Sequence, residues 1–429
     1  MTIVEFFDKS PIENIASALL CGSTDESSPM HVIFVGESKK KMEKAIALYR
    51  EVTERRNLCV KFTCKPVNRN SLASIVDVLA EIAEEYPGCV FDLTGGEDLI
   101  LVAIGMVVMK QKMEREMKKE TGPEIQLHRF NVRTNTLLDC DADGKTLSAG
   151  SDLLTIDENI RIHGGRVVYS DEHPDGTFVW NFSDDFRRDI DTMWDICRQN
   201  PGVWNAQINT LDKISEMLDQ KNSDVLSLNI SKTTARQTMA AQGDKFVLRM
   251  DVLRQLEAAG LLTKVRETAE ELSVEFKNYP VKRVLTQAGT ILELYVTMTA
   301  AGLYETNGSP VYDDVLGGVF IDWDGDVHPD SPSDVGNEID VMLMHGMVPV
   351  FISCKNGYVD ANELYKLSSV ADRFGRGYVK KVLILSDFDR LGAAGEYIYA
   401  RATDMGIDVV KNAADLTDIE FARRLRNIW

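Results

Sequence analysis

The feature that most constrains the fold is a regular alternation of short apolar runs and helical patterns over the first third of the chain. The apolar runs predict strands at 3–7, 31–35, 60–64 and 89–93, with a further one at 125–130. The segments between them predict helices at about 12–20, 40–56, 71–86 and 98–118. Such alternation is typical of an α/β domain with a mainly parallel, doubly wound, Rossmann-like sheet. We therefore predict such a domain over residues 1–150.

Three loops of this domain lie at the carboxyl ends of its strands, where a sheet of that kind binds ligands. They are Asp8, Lys9 and Ser10 after the first strand, Gly36, Glu37 and Ser38 after the second, and Thr94, Gly95, Gly96 and Glu97 after the fourth. Two adjacent glycines let the backbone approach a ligand closely, and the helix that follows offers free N–H groups to phosphate or ribose oxygens. The alternative is a tight strand-to-helix turn without a ligand. The chain has neither a Walker A nor a GxGxxG motif, so ATP hydrolysis and NAD binding are not favoured.

Residues 151–275 are interpreted as a linker that contains a small helical region. A helix that includes residues 252–258 is stopped by Gly260 and followed by a polar–apolar alternation at 272–276, a pattern that predicts a winged-helix-like region. This region carries only Arg249 and Arg254 at its helix, too few for a basic DNA-reading face. We therefore expect a winged-helix-like spacer rather than a DNA reader.

The third predicted domain, residues 276–429, carries the clearest catalytic chemistry. Its pattern predicts a helix at about 284–301, a hairpin at 339–355, a helix at 361–373 and a strand at 379–385. A turn near Gly346 pairs residue 340 with roughly residues 352–354, so Asp340 and Lys355 meet at one end of the hairpin. A carboxylate there can hold a divalent cation that polarises a phosphodiester, and a lysine can stabilise the charge that develops. Glu293, in an apolar helix, needs a partner for its charge, and a metal site would supply one.

These charged residues also have a purely structural interpretation. Asp340 and Lys355 would form a cross-strand ion pair, and Glu293 would pair with Lys282 or Arg283. We favour the functional interpretation, because perturbed, paired charges in a cleft usually mark a site.

Two parts of the sequence resemble known families. The predicted strand order of residues 1–140, the DLTGG motif at residues 92–96 and the serine of the first loop resemble the CRISPR-associated Rossmann fold, or CARF, domain. The helix glutamate, the strand aspartate and the following lysine resemble the restriction-endonuclease-like fold. The whole chain therefore looks like an ancillary nuclease of type III CRISPR systems.

The resemblance implies specific ligands and residue roles. A CARF domain implies a homodimer that binds a cyclic oligoadenylate across its two-fold axis, with cyclic tetra-adenylate favoured. The residues that it places near this ligand are Ser10, Gly36, Ser38, Thr94, Gly95 and Gly96. The nuclease resemblance implies Glu293, Asp340 and Lys355 as the core of the active site, with Glu338 as an addition. Glu293 and Asp340 would be the ligands of Mg²⁺ or Mn²⁺.

One position departs from the pattern of the nuclease family. Ser353 stands where the (D/E)xK motif has its first acidic residue, and serine is a weak metal ligand. Either Glu338 or Glu363 replaces the missing carboxylate, or the activity is reduced. Glu363 also fits a helix capping box that begins at Asp360.

Composition limits the partners. The net charge of −19 counts against broad duplex binding, which relies on many Lys/Arg–phosphate contacts, but it suits a carboxylate site for Mg²⁺ or Mn²⁺. The seven cysteines form no CxxC pair and the six histidines do not cluster, so neither a disulfide framework nor a zinc site is expected. No apolar run reaches the ~18 residues of a membrane helix, and the start of the chain lacks the character of a signal peptide. We therefore expect a cytoplasmic protein with no membrane partner.

These interpretations together predict a homodimeric, metal-dependent endonuclease switched on by cyclic oligoadenylate. The expected substrate is single-stranded DNA or RNA, with nicking of supercoiled DNA as a further activity. One alternative is a nucleotide-sensing transcription regulator with an inert C-terminal domain. Another is a restriction-type enzyme that responds to no second messenger.

Overall fold

A computed structural model of the chain describes residues 1–7, 10–119, 121–141, 143–150, 153–323, 336–375 and 378–429. No helix in this described part is long and apolar enough to span a membrane. The N-terminal elements are β1 (Thr2–Phe6), α1 (Pro11–Cys21), β2 (Met30–Gly36), α2 (Lys39–Arg55), β3 (Val60–Pro66), α3 (Leu72–Glu85), β4 (Val90–Asp92), α4 (Asp98–Lys118), β5 (Gln126–Asn131), β6 (Thr136–Asp139) and β7 (Lys145–Ala149).

The N-terminal strands form one sheet in the order β3-β2-β1-β4-β5-β6-β7. Strands β1 to β5 are parallel, and β6 and β7 extend the sheet antiparallel. The predicted parallel sheet is thus confirmed, with an antiparallel extension that was not predicted. β1 lies between β2 and β4, so the loops that follow these three strands lie side by side at one edge.

The central strands β1 and β2 are largely apolar because both faces of the sheet are covered by helices. Alternate residues of a strand point to opposite faces. Ile3 packs in a core with α1 and α2, whereas Val4 and Phe6 pack in a second core with α3 and α4. Glu5 is the exception, a carboxylate only 1% exposed in the middle of β1.

The middle of the chain has two structural roles. Its elements are α5 (Ile156–Ile162), β8 (Arg166–Val167), α6 (Asp184–Gln199), α7 (Pro201–Met217), β9 (Ser227–Ser231), α8 (Lys232–Ala241), α9 (Met250–Ala258), β10 (Leu262–Glu267) and β11 (Glu271–Phe276). β8 pairs with a strand of the C-terminal sheet, while β10, β11 and β9 form a separate antiparallel sheet in that order. The helices α7, α8 and α9 accompany this small sheet in the sequence order α7-β9-α8-α9-β10-β11.

The C-terminal region is built on a mixed sheet. Its elements are α10 (Tyr279–Leu285), α11 (Thr290–Ala301), β12 (Asp314–Asp322), β13 (Gly336–His345), β14 (Val348–Lys355), α12 (Ala361–Ala371), β15 (Lys380–Leu385), α13 (Gly392–Asp404), β16 (Asp408–Val410) and α14 (Asp418–Arg426). The strand order is β16-β15-β14-β13-β12-β8, antiparallel from β8 to β14 and parallel from β14 to β16. The predicted hairpin, helix and strand are present.

One predicted helix of this region was wrong in its extent. The single helix expected at 284–301 is two helices, α10 and α11. Gly289 separates them with a φ of +95°, a left-handed conformation that suits glycine. As a result, Glu293 lies in the first turn of α11 rather than in the middle of a long helix.

Both faces of the C-terminal sheet are covered, and one of them joins the N-terminal region. Val341 and Leu343 of β13 pack in the core that contains α11. Met342 and Met344, which point the other way, pack in the core that contains α1, α2 and α12. The two sheets therefore share one continuous core, and helices α11 and α12 lie on opposite faces of the C-terminal sheet.

Candidate functional site

The hairpin of β13 and β14 brings Asp340 and Lys355 together. Gly346 forms its two-residue turn with a φ of +59°, as a tight hairpin requires. The strand register then sets Asp340 opposite Ser353, within the range predicted from the sequence. The two charged residues meet at the end of the hairpin that is far from the turn.

Asp340 is oriented through a single carboxylate oxygen. Its Oδ2 accepts hydrogen bonds from the backbone N–H of Cys354 at 2.7 Å, the hydroxyl of Ser353 at 3.2 Å and the ammonium of Lys355 at 3.4 Å. The other oxygen, Oδ1, accepts none from the described residues. Hydrogen bonds of this kind fix the direction of a metal-binding carboxylate, and Ser353 contributes one although it is itself a weak ligand.

Lys355 lies between two carboxylates. Its Nζ is 3.4 Å from Oδ2 of Asp340 and 3.0 Å from Oε2 of Glu363. Burial opposes the charged form of Lys355, but the two neighbouring carboxylates outweigh it and raise the pKa of the ammonium above its usual value. Lys355 is therefore a fixed positive charge rather than a proton donor or acceptor near neutral pH.

Glu363 belongs to this cluster through its side chain. Its carboxylate also contacts Lys366 at 2.9 Å, and these lysine contacts outweigh the effect of burial and lower its pKa. The N-cap of α12 is Asp360, which accepts from the N–H of Asn362 at 2.7 Å. The side chain of Glu363 therefore contacts two lysines and does not form the capping box.

Glu293 reaches the site from the other face of the sheet. Glu293 is half-buried as a residue, and its carboxylate accepts no hydrogen bond within the described part of the chain. Burial is the largest cause that raises its pKa well above the ordinary value, and the charges of Asp340 and Glu338 add to it. The alternative partners are engaged elsewhere: Lys282 donates to two backbone carbonyls at 2.6 Å, and Arg283 lies over the ring of Phe178.

One glycine of β12 allows this approach. Gly317 lies opposite Val341, and a Cβ there would be only 2.7 Å from Oγ1 of Thr297 on α11. Because Gly317 has no side chain, α11 packs closely on the sheet beside Glu293. Gly318 follows with a φ of +61° at an irregularity in the β12–β13 pairing, and a Cβ on it would meet no atom within 4 Å.

Glu338 connects two small cavities. It lies two residues before Asp340 on β13 and so points to the same face. One cavity, of about 270 Å³, is lined by Glu293 and Glu338, and the other, of about 320 Å³, by Glu338, Asp340, Lys355 and Glu363. Burial first, and then the charge of Asp340, raise the pKa of Glu338. Glu338 thus links the cavity of Glu293 to the cavity of Asp340, Lys355 and Glu363.

The donor set fits a hard divalent cation. In the described ranges, no group of three or more His, Cys, Asp or Glu side chains is placed so that it could hold a metal ion. Mg²⁺ is usually held by only one or two carboxylates, with water and substrate phosphates completing its shell. Glu293 and Oδ1 of Asp340 supply such oxygens, and their mutual repulsion is what a cation would relieve.

The N-terminal loops converge at the edge where β1, β2 and β4 end. Asp8 and Lys9 lie outside the described residues, while the remaining members of the three loops can be placed. Ser10 precedes α1. A Cβ built on Gly375 of the C-terminal region would lie 3.8 Å from the hydroxyl oxygen of Ser10. The adjacent order β2-β1-β4 is the switch point at which open α/β sheets bind ligands.

The loop after β4 is braced from below by a buried carboxylate. Asp92 accepts from the N–H of Thr94 at 2.7 Å and from the hydroxyl of Ser17. The hydroxyl of Thr94 in turn accepts from the N–H of Phe130 at 2.7 Å. Gly96 has a φ of +112°, so this turn requires glycine whether or not a ligand binds.

The residues of the loop after β2 have structural contacts in addition to any contact with a ligand. A Cβ on Gly36 would lie 3.0 Å from the Cβ of Phe7 and the sulfur of Met42. The hydroxyl of Ser38 caps α2 by accepting from the N–H of Lys41 at 3.4 Å. Glu37 is exposed beside them. Across the edge, Glu97 forms an ion pair with Arg69, a residue of the loop after β3 that the sequence did not indicate.

Comparison with known proteins settles the fold. No protein-family model matches the chain, and no curated protein does either. Among solved structures, protein VC1899 from Vibrio cholerae matches 100% of this chain and 95% of its own, with a TM-score of 0.68 and 18% identity. Can2 from Sulfobacillus thermosulfidooxidans, solved in complex with cyclic tetra-adenylate, matches 99% of both chains, with a TM-score of 0.63 and 15% identity. The chain has the fold of Can2.

The likeness to Can2 extends over both sheets and the region between them, and it confirms the full-length resemblance predicted from the sequence at the level of fold. The class of fold, α/β with a mostly parallel N-terminal sheet and a mixed C-terminal sheet, is also confirmed. Sequence reasoning missed Gly317, Gly318 and Lys366. The Gly317–Gly318 pair was a visible signal, because paired glycines inside a strand indicate a bulge or a close approach of another element.

Proposed function

We propose that the protein is a metal-dependent nuclease activated by a cyclic oligoadenylate. The observation that carries the proposal is the convergence of Glu293, Asp340 and Lys355 at one sheet edge, with Lys355 held as a positive charge. The CARF-like and restriction-endonuclease-like assignments of residues 1–150 and 276–429 belong to the same proposal. Its further support is the likeness to Can2, whose structure contains cyclic tetra-adenylate.

In this proposal each residue has a role that follows from its contacts. Glu293 and Oδ1 of Asp340 hold the cation, while Cys354 N–H and Ser353 keep Asp340 in position. Lys355 directs its ammonium towards the scissile phosphate, where it stabilises the negative charge that develops during attack by water. Mg²⁺ or Mn²⁺ would polarise that phosphate and offset part of its charge.

Glu363 and Glu338 act around this core. Glu363 restrains the ammonium of Lys355 from the side opposite Asp340, so it is a positioning residue. Glu338 is exposed at the junction of the two cavities, where it can receive a proton or a water-bridged cation contact.

The activator would bind at the β2-β1-β4 edge. The backbone N–H groups that open α4, after Gly95 and Gly96, suit phosphate or ribose oxygens, and Ser38 offers a hydroxyl, whereas the hydroxyl oxygen of Ser10 is buried. A ligand at this edge can activate the distant site only by binding one conformation better than another. The shared core between α1, α2 and α12 is the packed route by which such a change would reach Lys355 and Glu363.

A homodimer is supported by the surface of α4. This helix begins directly after Glu97 and presents a stripe of apolar side chains between 42% and 75% exposed: Leu101, Val102, Met106, Met109, Met113 and Met117. A contiguous apolar stripe of this length is typical of an interface. A second copy packed on it along a two-fold axis would bring the two glycine loops next to each other.

The transcription-regulator alternative is not favoured by the middle region. The order α7-β9-α8-α9-β10-β11 suits a winged helix, which we propose acts as a spacer. Arg249 is paired with Asp251 at 2.9 Å and Arg254 with Glu257 at 2.5 Å, so neither arginine is available for phosphate contacts. A DNA-reading helix needs a basic face that this one lacks.

A cleavage assay tests the proposal. Purified protein is incubated with Mn²⁺ and end-labelled single-stranded DNA or RNA, with and without cyclic tetra-adenylate. Cleavage that requires both metal and cyclic tetra-adenylate, and that Asp340→Asn abolishes while activator binding persists, is the expected result. Cleavage at full rate without any nucleotide would favour a restriction-type enzyme, and sequence-specific DNA binding without cleavage would favour the regulator.

A further inference from the structure

A large cavity of the described molecule lies at the edge of the C-terminal sheet remote from Asp340. It has a volume of about 1120 Å³ and follows the first residues of β14, β15 and β16. Five cationic residues line it, and we call this cavity the basic groove: Arg133, Lys380, Lys381, Lys411 and Arg424. Asp408 is the one acidic residue among its described lining residues. Such a concentration of cations is unexpected in a chain with a net charge of −19.

The cations of the groove come from separate parts of the fold. Arg133 lies in the turn between β5 and β6, which packs on the β13–β14 turn through Asn135. Lys380 begins β15, and Arg424 lies on α14. Long-range folding, rather than a local run of basic residues, therefore assembles the groove. Like charges gathered in this way repel one another, and a bound anion relieves the repulsion.

Three of the five cations are available to a ligand. Lys381 is engaged by the carbonyl of Met405 at 2.8 Å and the hydroxyl of Ser368 at 3.2 Å. Lys411 lies over the ring of Tyr399 at 3.5 Å. By contrast, no carboxylate of the described chain lies within ion-pair distance of the three that remain, which are Arg133, Lys380 and Arg424.

Aromatic side chains line the same groove. Tyr399 is 40% exposed, and Trp429 is partly exposed where it packs against His345. A groove that combines unpaired cations with aromatic rings is the arrangement by which proteins hold single-stranded nucleic acid, since the cations contact phosphates and bases stack on the rings. A duplex offers no unstacked bases to these rings.

We propose that the basic groove binds single-stranded nucleic acid and anchors the substrate away from the cleavage site. This proposal adds a substrate-binding surface to the proposed nuclease function. It depends on that function only for the choice of nucleic acid as the ligand. β14 connects the two places, because Val348 lines the groove and Lys355 lies at the active site, roughly 23 Å further along the strand. Changes in the groove therefore leave the catalytic side chains untouched.

The test measures binding without cleavage. A fluorescent oligothymidine of about 20 nucleotides is titrated with the full chain in EDTA, at several salt concentrations, and anisotropy is recorded. One variant combines Arg133→Gln, Lys380→Gln and Arg424→Gln. The matched control combines Lys44→Gln, Arg50→Gln and Lys61→Gln, which removes the same charge from exposed residues outside the groove. Thermal melting confirms that both variants fold.

The groove variant should lose salt-dependent affinity, and the control should not. Three lost phosphate contacts reduce the slope of log affinity against log salt by about 2. Between 50 and 200 mM salt, the affinity of the unmodified protein should thus fall roughly 20-fold more than that of the groove variant. Equal behaviour of the two variants, or competition by ATP as strong as by the oligonucleotide, would overturn the assignment. The binding assay needs no metal, so it is independent of cleavage. If the protein bound the oligonucleotide through the groove but cleaved no nucleic acid, the nuclease function would be wrong and the groove assignment would still hold.

Discussion

The two candidate sites of this chain place their carboxylates in opposite ways. At the C-terminal site Glu293, Asp340 and Glu338 reach small cavities, and Lys355 stands among them. At the N-terminal edge the carboxylates Glu5 and Asp92 are each 1% exposed and lie beneath the loops. The first arrangement suits a cation and a phosphodiester. The second buries these two carboxylates and presents the backbone N–H groups that open α4, which suit a phosphate-bearing ligand, while Glu37 and Glu97 remain at the surface.

The largest expected effect is a difference in cleavage rate between variants of two lysines of the C-terminal site. Lys355→Gln should lower the cleavage rate roughly 10²–10³-fold, because it removes the positive charge nearest to the reacting phosphate. Lys366→Gln is the matched control, since Lys366 also contacts Glu363 but is 74% exposed and does not contact Asp340. Single-turnover cleavage of labelled DNA measures both. Equal losses in the two variants would mean that the cluster is a structural ion-pair network.

The next effect concerns the brace beneath the N-terminal loop. Asp92→Ala leaves the N–H of Thr94 without its acceptor, at a cost of about 1–3 kcal/mol, so activator affinity should fall roughly tenfold or more. Ser17→Ala, which removes only the second contact to Asp92, should cost less. Calorimetric titration with cyclic tetra-adenylate measures the affinity. Metal binding at the C-terminal site should be unchanged, and a parallel loss there would deny that the two sites are separate.

A smaller effect should follow from restoring an acidic residue beside Lys355. Ser353→Asp adds a third carboxylate close to Asp340, so the Mg²⁺ concentration that gives half-maximal cleavage should fall. Ser353→Ala removes a hydrogen bond that orients Asp340 and should raise it. A metal titration of the cleavage rate distinguishes them. If Ser353→Asp left the metal requirement unchanged, the hairpin end would not face the cation.

The smallest effect is on stability and its dependence on pH. Burial, followed by the nearby charge of Asp92, raises the pKa of Glu5 well above its ordinary value of 4.5. The folded state therefore holds a proton that the unfolded chain releases, and the stability associated with Glu5 is present at low pH and lost as pH rises above 4.5. The Tm should fall less between pH 5 and pH 8 in Glu5→Gln than in the unmodified protein. Each kcal/mol of unfolding free energy corresponds to a change in Tm of about 2–4 °C. Part of the fall should persist, because Asp92 shifts in the same direction.

Local pattern was enough to predict the elements that hold each site. The apolar runs of the parallel strands and the hairpin around Gly346 were readable because period and turn chemistry are local. Their consequence, that Asp340 meets Lys355, followed from register alone. The break at Gly289 was missed because the apolar pattern resumes at Ile291, although Thr286, Gln287 and Gly289 interrupt it.

Long-range placement was not readable from the sequence. β8, a two-residue strand in the presumed linker, joins the C-terminal sheet through a pairing more than 150 residues away in the chain. Glu5 sits in an ordinary apolar strand pattern, and nothing local indicates that Asp92 lies beside it. The basic groove likewise collects cations from four separate segments. Such features depend on which elements become neighbours, which no single segment encodes.

If Glu293 and Asp340 together hold a divalent cation, the full chain should bind Mn²⁺ in the absence of substrate. Free Mn²⁺ is measured by electron paramagnetic resonance during a titration. We expect a bound Mn²⁺ that is lost in both Glu293→Gln and Asp340→Asn but retained in Glu420→Gln, a helix-capping glutamate of α14. Unchanged Mn²⁺ binding in the first two variants would contradict this expectation.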